Sequence, residues 1–204
     1  MGTQEFSFNQ GAPAVQKKIP DGVLGILFLL SAEVMYFAGL ISAYIIGRTG
    51  ELEWPPYGQP RLPVAVTAVN TLVLLASGFA GWLFLKNFLN DTRQGRLPNL
   101  SLLSLCIALG AVFLFVQGSE WVRLVQFGLT STSSLYGAFF YVLIGSHGVH
   151  VLAGLILLLY LYGFLRKTSP ASPAEAAVKS RVCMIYWYFV VGIWPVLYFL
   201  VYLL

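Results

Sequence analysis

Five long stretches of this chain carry almost no charge, and that one feature decides what it can become. They fall at 22–47, 62–85, 100–116, 136–165 and 182–204, and the first contains a single ionisable carboxyl, Glu33. A helix needs about 20 apolar residues to cross ~30 Å of hydrocarbon. Each stretch is about that long, the third once it extends through Gln117. The whole chain is 58% hydrophobic and 10% charged, against about 25% charge in a soluble domain. So little polar surface cannot cover a water-soluble globule. The expectation is an all-α, polytopic membrane protein, a bundle of five transmembrane helices at about 22–47, 62–85, 100–124, 135–165 and 182–204. Residues 1–20 read as a flexible cytoplasmic tail and 21–204 as one membrane domain.

The first stretch is too long for a signal-peptide core, contains Glu33, and is followed by Arg48 where small residues would mark cleavage. It reads as a retained anchor. Orientation follows from the basic residues. With five spans, the N-terminus shares a side with the second and fourth loops. That side holds nine Lys and Arg (17, 18, 86, 93, 96, 166, 167, 179, 181), against three on the other (48, 61, 123), which together make the 12 in the chain. This places the N-terminus in the cytoplasm and the C-terminus in the periplasm. The net charge of +4 is thus a topology signal, and no basic face suited to nucleic acid emerges. Cys106 and Cys183 fall inside or at the edge of spans and read as buried free thiols.

Pro55, Pro56, Pro60 and Pro63 forbid regular helix in the first external loop, where Trp54 suits a water–lipid boundary. Trp187, in the aromatic-rich last span, is read the same way, and Pro195 is expected to kink or loosen that helix. Pro98 can open the third helix, and 166–181 reads as a polar, flexible loop. Small residues recur at i, i+4: Ala38/Ser42 and Gly39/Ala43 in the first span, Ala76/Ala80 and Ser77/Gly81 in the second. Such pairs let helices approach closely in lipid.

Polar residues within the spans are the candidate functional groups. An ionised acid at mid-bilayer costs roughly 2.5–3.5 kcal/mol on insertion scales. Glu33 is therefore protonated and hydrogen-bonded, paired with a basic group, or a working proton carrier. It lies about 16 Å from the inner face at 1.5 Å per residue. His147, entering from the outer face, lies about 12 Å from the inner face, with His150 one step deeper. Glu33 and His147 should then meet if the first and fourth helices are neighbours. The two histidines are the only ones in the chain, and they stand three apart on one helix side. They cannot sandwich a haem, and with Glu33 they would make at most three ligands of a metal site. Structural, lipid-facing and proton-relay roles remain for them. Glu120 and Arg123, at i, i+3, read as an interfacial ion pair at the end of the third helix.

Several ordered motifs now carry a resemblance. They are LFLLSAEVMYFAGLISAY (27–44), WPP (54–56) with VNTLVLLASG (69–78), FVQGSEW (115–121), GSHGVHVLAG (145–154) and YWYFVVGIWPVLYFLVYLL (186–204). The chain resembles subunit III of haem–copper respiratory oxidases in its short, five-helix bacterial form. Where that family usually has W-H-F-V-D, this chain has Trp187, Tyr188, Phe189, Val190 and Val191. The resemblance implies a non-catalytic subunit in a bacterial plasma membrane that packs against subunit I, alongside subunit II. It implies bound phospholipid, support of proton uptake, and no cofactor in this chain, the haem and copper lying in the partner subunits. Glu33, His147 and His150 match the family's buried polar residues. A nitric oxide reductase accessory subunit and an independent small transporter are the rival readings.

Overall fold

A computed structural model describes residues 20–90, 100–167 and 173–204. Among these residues there are five α-helices and no strand. They are α1 (Asp21–Thr49), α2 (Val64–Asn90), α3 (Leu100–Gln126), α4 (Leu135–Lys167) and α5 (Pro173–Tyr198), with a π-helical turn at Phe199–Leu203. All five are long and apolar enough to cross a membrane. Of the tail expected at residues 1–20, all but Pro20 lies outside the described residues, as do Pro98 and 168–172 of the fourth loop.

Local chemistry sets the helix ends. Asp21 stands in the first turn of α1 and Arg48 in the last, each complementing the helix dipole. Arg166 and Lys167 close α4 in the same way. Gly128, at φ +88°, ends α3 in the left-handed conformation that glycine tolerates, and Leu129 N–H returns to the Leu124 carbonyl. The proline-rich loop after α1 stays non-helical through Pro63. The other expected loop is shorter than the polar composition of 166–181 suggests. α5 begins already at Pro173, because proline is pre-set for a first helical position and Ala-rich sequence follows it. Glu175 and Lys179 then pair at 2.7 Å across one turn.

Four helices form a ring: α2 packs on α3, α3 on α4, α4 on α5, and α5 back on α2. α1 lies outside this ring, against α4 and α5. The ring closes around two tryptophans of α5, both wholly buried. Trp187 donates from its indole to Ser77 Oγ at 3.2 Å, and Trp194 to Thr71 Oγ1 at 2.8 Å. The reading of Trp187 as an interfacial aromatic is therefore corrected. It sits near the middle of α5, and its ring fills space that Gly110 of α3 and Gly154 of α4 leave open. An indole suits an interface because one edge is polar, and a hydroxyl in a helix core satisfies that edge equally well. Trp54, by contrast, is half-buried outside the ring, edge-on to Tyr44 near the C-terminal end of α1 and to Tyr136 near the N-terminal end of α4.

The small-residue pairs divide. Ser77 and Gly81 are buried, and a side chain at Gly81 would meet Met184 and Cys106. Ala38, Gly39, Ser42 and Ala43 face outward instead and bring no helix close. Cys106 and Cys183 are buried and free. α5 continues through Pro195, and the loosening comes one turn later, where Leu204 N–H bonds to the Phe199 carbonyl at 3.1 Å.

Candidate functional site

Midway along α1 and α4 a carboxyl meets an imidazole. Glu33 Oε2 lies 2.7 Å from His150 Nε2, with the side chains 21% and 16% exposed. His150 Nδ1 lies 2.6 Å from the carbonyl of Ser146, one turn back on α4. A carbonyl only accepts, so Nδ1 carries a hydrogen. One proton then remains for the contact between Nε2 and Oε2. It makes either imidazolium facing carboxylate or imidazole facing carboxylic acid. Both forms of the pair are neutral overall, so a titratable acid stands in the membrane interior without the cost of a lone charge. Tyr36 and Phe37 complete the setting. Tyr36 lies stacked over the imidazole at 6.1 Å, and its hydroxyl is 2.8 Å from Ser146 Oγ. Phe37 presents an edge at 5.1 Å.

The expected pairing of Glu33 with His147 is thus corrected to Glu33 with His150. Residues three apart stand about 60° apart around a helix of 3.6 residues per turn. That difference turns His150 towards α1 and His147 into the ring. His147 is buried, stacked on Trp194 at 4.8 Å, with Phe113 edge-on at 6.1 Å. Neither of its ring nitrogens has a hydrogen-bond partner. Among the described residues no three His, Cys, Asp or Glu side chains gather into a metal-holding group.

Glu120 and Arg123 do pair, Oε1 to Nη1 at 3.0 Å, near the C-terminal end of α3. The carboxylate side chain is 8% exposed and the guanidinium side chain 66%, so the acid faces inward and the base outward. Tyr36 and Ser146 went unread in the sequence, although their spacing could have revealed them. Tyr36 is i+3 from Glu33 and Ser146 is i−4 from His150, each on its partner's helix face.

Fold and site together define a polytopic, all-helical membrane protein, a four-helix core with a fifth helix fastened to it by a neutral acid–imidazole pair. Comparison with known proteins gives the family. The family model described as "Cytochrome c oxidase subunit III" matches residues 5–204. "Cytochrome c oxidase subunit 3" of Synechocystis is 34% identical over 89% of this chain and 75% of its own length. The Corynebacterium diphtheriae protein of the same name is 33% identical over 99% of this chain and 97% of its own. "Probable cytochrome c oxidase subunit 3" of Mycobacterium leprae is 35% identical over 88% and 86%. The chain belongs to the cytochrome c oxidase subunit III family.

Proposed function

We propose that this chain is the non-catalytic, five-helix subunit III of a terminal haem–copper oxidase in a bacterial inner membrane. The complex reduces oxygen to water and translocates protons. In this reading the chain lies directly against subunit I, which with subunit II carries the haem and copper. It holds phospholipid along its helices and sustains proton uptake. Its N-terminus is cytoplasmic and its C-terminus periplasmic, as the 9-to-3 division of basic residues favours.

The observation that carries the reading is the Glu33–His150 pair. His150 spends both ring nitrogens on protein groups, which suits fastening α1 to α4 better than gripping a metal. The pair holds one shared proton, and gaining or losing one would leave a net charge at mid-bilayer. It is therefore a stable polar clasp beside the lipid-exposed surface of α1, where Phe28 and Met35 are 69% and 75% exposed. A clasp of this kind preserves the geometry of the complex over many turnovers and need not pass every proton.

The test is Glu33→Gln in the intact oxidase, followed by oxygen consumption over time. Initial rates should stay near those of the wild type, while the number of turnovers before inactivation falls several-fold. An immediate and complete loss of oxygen reduction would show instead that Glu33 carries each proton.

A further inference from the structure

α1 and α2 both pack on α5 and scarcely touch each other, so they wall a furrow with α5 as its floor. Two cations stand at one end of it. α2 and α5 run antiparallel: a Cβ at Gly81 would meet Met184, and one at Gly78 would meet Val191. Lys86 lies five residues past Gly81 and Arg181 three before Met184, which puts them within about 3 Å of one depth at 1.5 Å per residue. Lys86 is eight residues from Gly78 and Arg181 ten from Val191, so each is turned about 80° from that contact at 3.6 residues per turn. In antiparallel helices these equal turns lead to the same side, here the open one, and both residues are exposed. Among the described residues no carboxylate pairs with either. The Lys86 ammonium lies 4.9 Å from the centre of the Trp82 ring, and Trp82 stacks on Phe79 at 5.6 Å. We infer that the furrow seats one acidic phospholipid, its phosphate between Lys86 and Arg181 and its tails along Trp82, Phe79 and the α5 floor. The inference rests on the reading of the chain as a lipid-holding membrane subunit and names the place and the headgroup charge.

Length and charge choose the occupant. Leu75 and Gly192 each lie eleven residues from the cation on their own helix, about 16 Å at 1.5 Å per residue. That is the depth of one leaflet in a ~30 Å core. Over this distance the α2 wall is apolar and open, with Leu75, Phe79 and Trp82 42%, 60% and 46% exposed. Gly192 leaves the floor low, and nothing lies within 4 Å of a Cβ placed there. An amphiphile one leaflet long, with its charge at one end, matches this pattern. The headgroup must be acidic because two cations face it. A zwitterionic head brings an ammonium of its own and would leave the pair of cations uncompensated. Lysine folded along an indole, with its ammonium at the membrane surface, is also the arrangement that meets a phosphate there.

The experiment labels the furrow from the membrane. The whole oxidase, purified through a tag on this chain, is placed in phosphatidylcholine vesicles containing a phosphatidylglycerol probe with a diazirine in its acyl chain. Parallel vesicles contain a phosphatidylcholine probe with the same tail, and adducts are mapped by mass spectrometry. Residues 75–82 and 185–192 should be labelled several-fold more by the phosphatidylglycerol probe. Lys86→Gln combined with Arg181→Gln should abolish that preference. Arg166→Gln combined with Lys167→Gln, which removes two exposed charges from the end of α4, should keep it. Equal labelling by the two probes in the wild type, or equal loss of preference in both double variants, would overturn the inference. So would an unlabelled furrow, which would mean that protein covers it. If the furrow variant fails to assemble, the wild-type contrast between the probes decides alone. Haem-containing subunit is measured in the same preparation. If none accompanies the wild-type chain, the proposed function itself fails and the inference falls with it.

Discussion

The Ser146 carbonyl gives the acid–imidazole pair its character. By holding hydrogen on Nδ1 it leaves Nε2 of a neutral His150 as an acceptor, facing Glu33. This makes the two partners unequal under mutation. In Glu33→Gln the new amide can donate to Nε2 while Nδ1–H keeps its carbonyl, so the loss of stability should stay below about 1 kcal/mol, the net worth of an ordinary hydrogen bond. In His150→Ala the carboxyl is left without its partner, and the expected cost is about 1–3 kcal/mol, reduced by the pair's partial exposure. Unfolding of the detergent-solubilised chain by denaturant measures both. If Glu33→Gln destabilised as much as His150→Ala, the Nδ1–H assignment would be wrong. Depth arithmetic found the height at which Glu33 would need a basic partner but named the wrong histidine. A single turn spans only about 5.4 Å of depth, whereas 60° of rotation decides which neighbouring helix a side chain meets. Rotation about the helix axis is fixed by packing, which depth does not encode.

At the scale of the helices, α5 organises the ring, and the reason is the fit between Trp187 and two glycines. A Cβ at Gly110 would lie 2.8 Å from the Trp187 ring and one at Gly154 2.7 Å from it. Gly110→Ala and Gly154→Ala should each destabilise by about 1–3 kcal/mol, the usual cost of overpacking a core. Gly39→Ala, on the open face of α1, should be neutral or stabilising by up to about 1 kcal/mol through helix propensity alone. Thermal midpoints of the three variants in one detergent would check the contrast, and equal shifts would mean the indole is not clamped. The five elements were legible because lipid enforces a minimum apolar length and drives charge into the connections. Their ends were less so. α5 begins nine residues before the expected 182, at Pro173, since helix propensity continues where hydrophobicity stops. The place of Trp187 was illegible for a related reason. Aromatic composition alone does not separate an interfacial belt from a core, and only Gly110 and Gly154, on two other helices, make room for it.

For the molecule as a whole, the division into a ring and an attached helix matters most. In their most apolar stretches, 44% of α2 residues are buried but only 11% of α1 residues. α1 therefore depends on a few contacts. Phe37 and Tyr44 insert apolar rings, and the Tyr44 hydroxyl donates to the Leu200 carbonyl at 3.0 Å. The Tyr36–Ser146 and Glu33–His150 contacts supply the polar links to α4. Apolar contact discriminates poorly between a helix neighbour and lipid, because both are hydrocarbon, so hydrogen bonds and close packing set the position of α1. Replacing Glu33 and His150 together by leucine leaves no unpaired group in that pair, yet removes the link that fixes the rotation of α1 against α4. Spin labels on Ile45 of α1 and Val142 of α4, 45% and 46% exposed, would report that geometry. The double variant should broaden the distance distribution between them, while a second pair of labels within the α2–α5 ring stays sharp. A distribution as narrow as that of the wild type would mean that Phe37, Tyr44 and the Tyr36–Ser146 contact seat α1 unaided, and that the acid–imidazole pair serves some purpose other than holding the fifth helix in place.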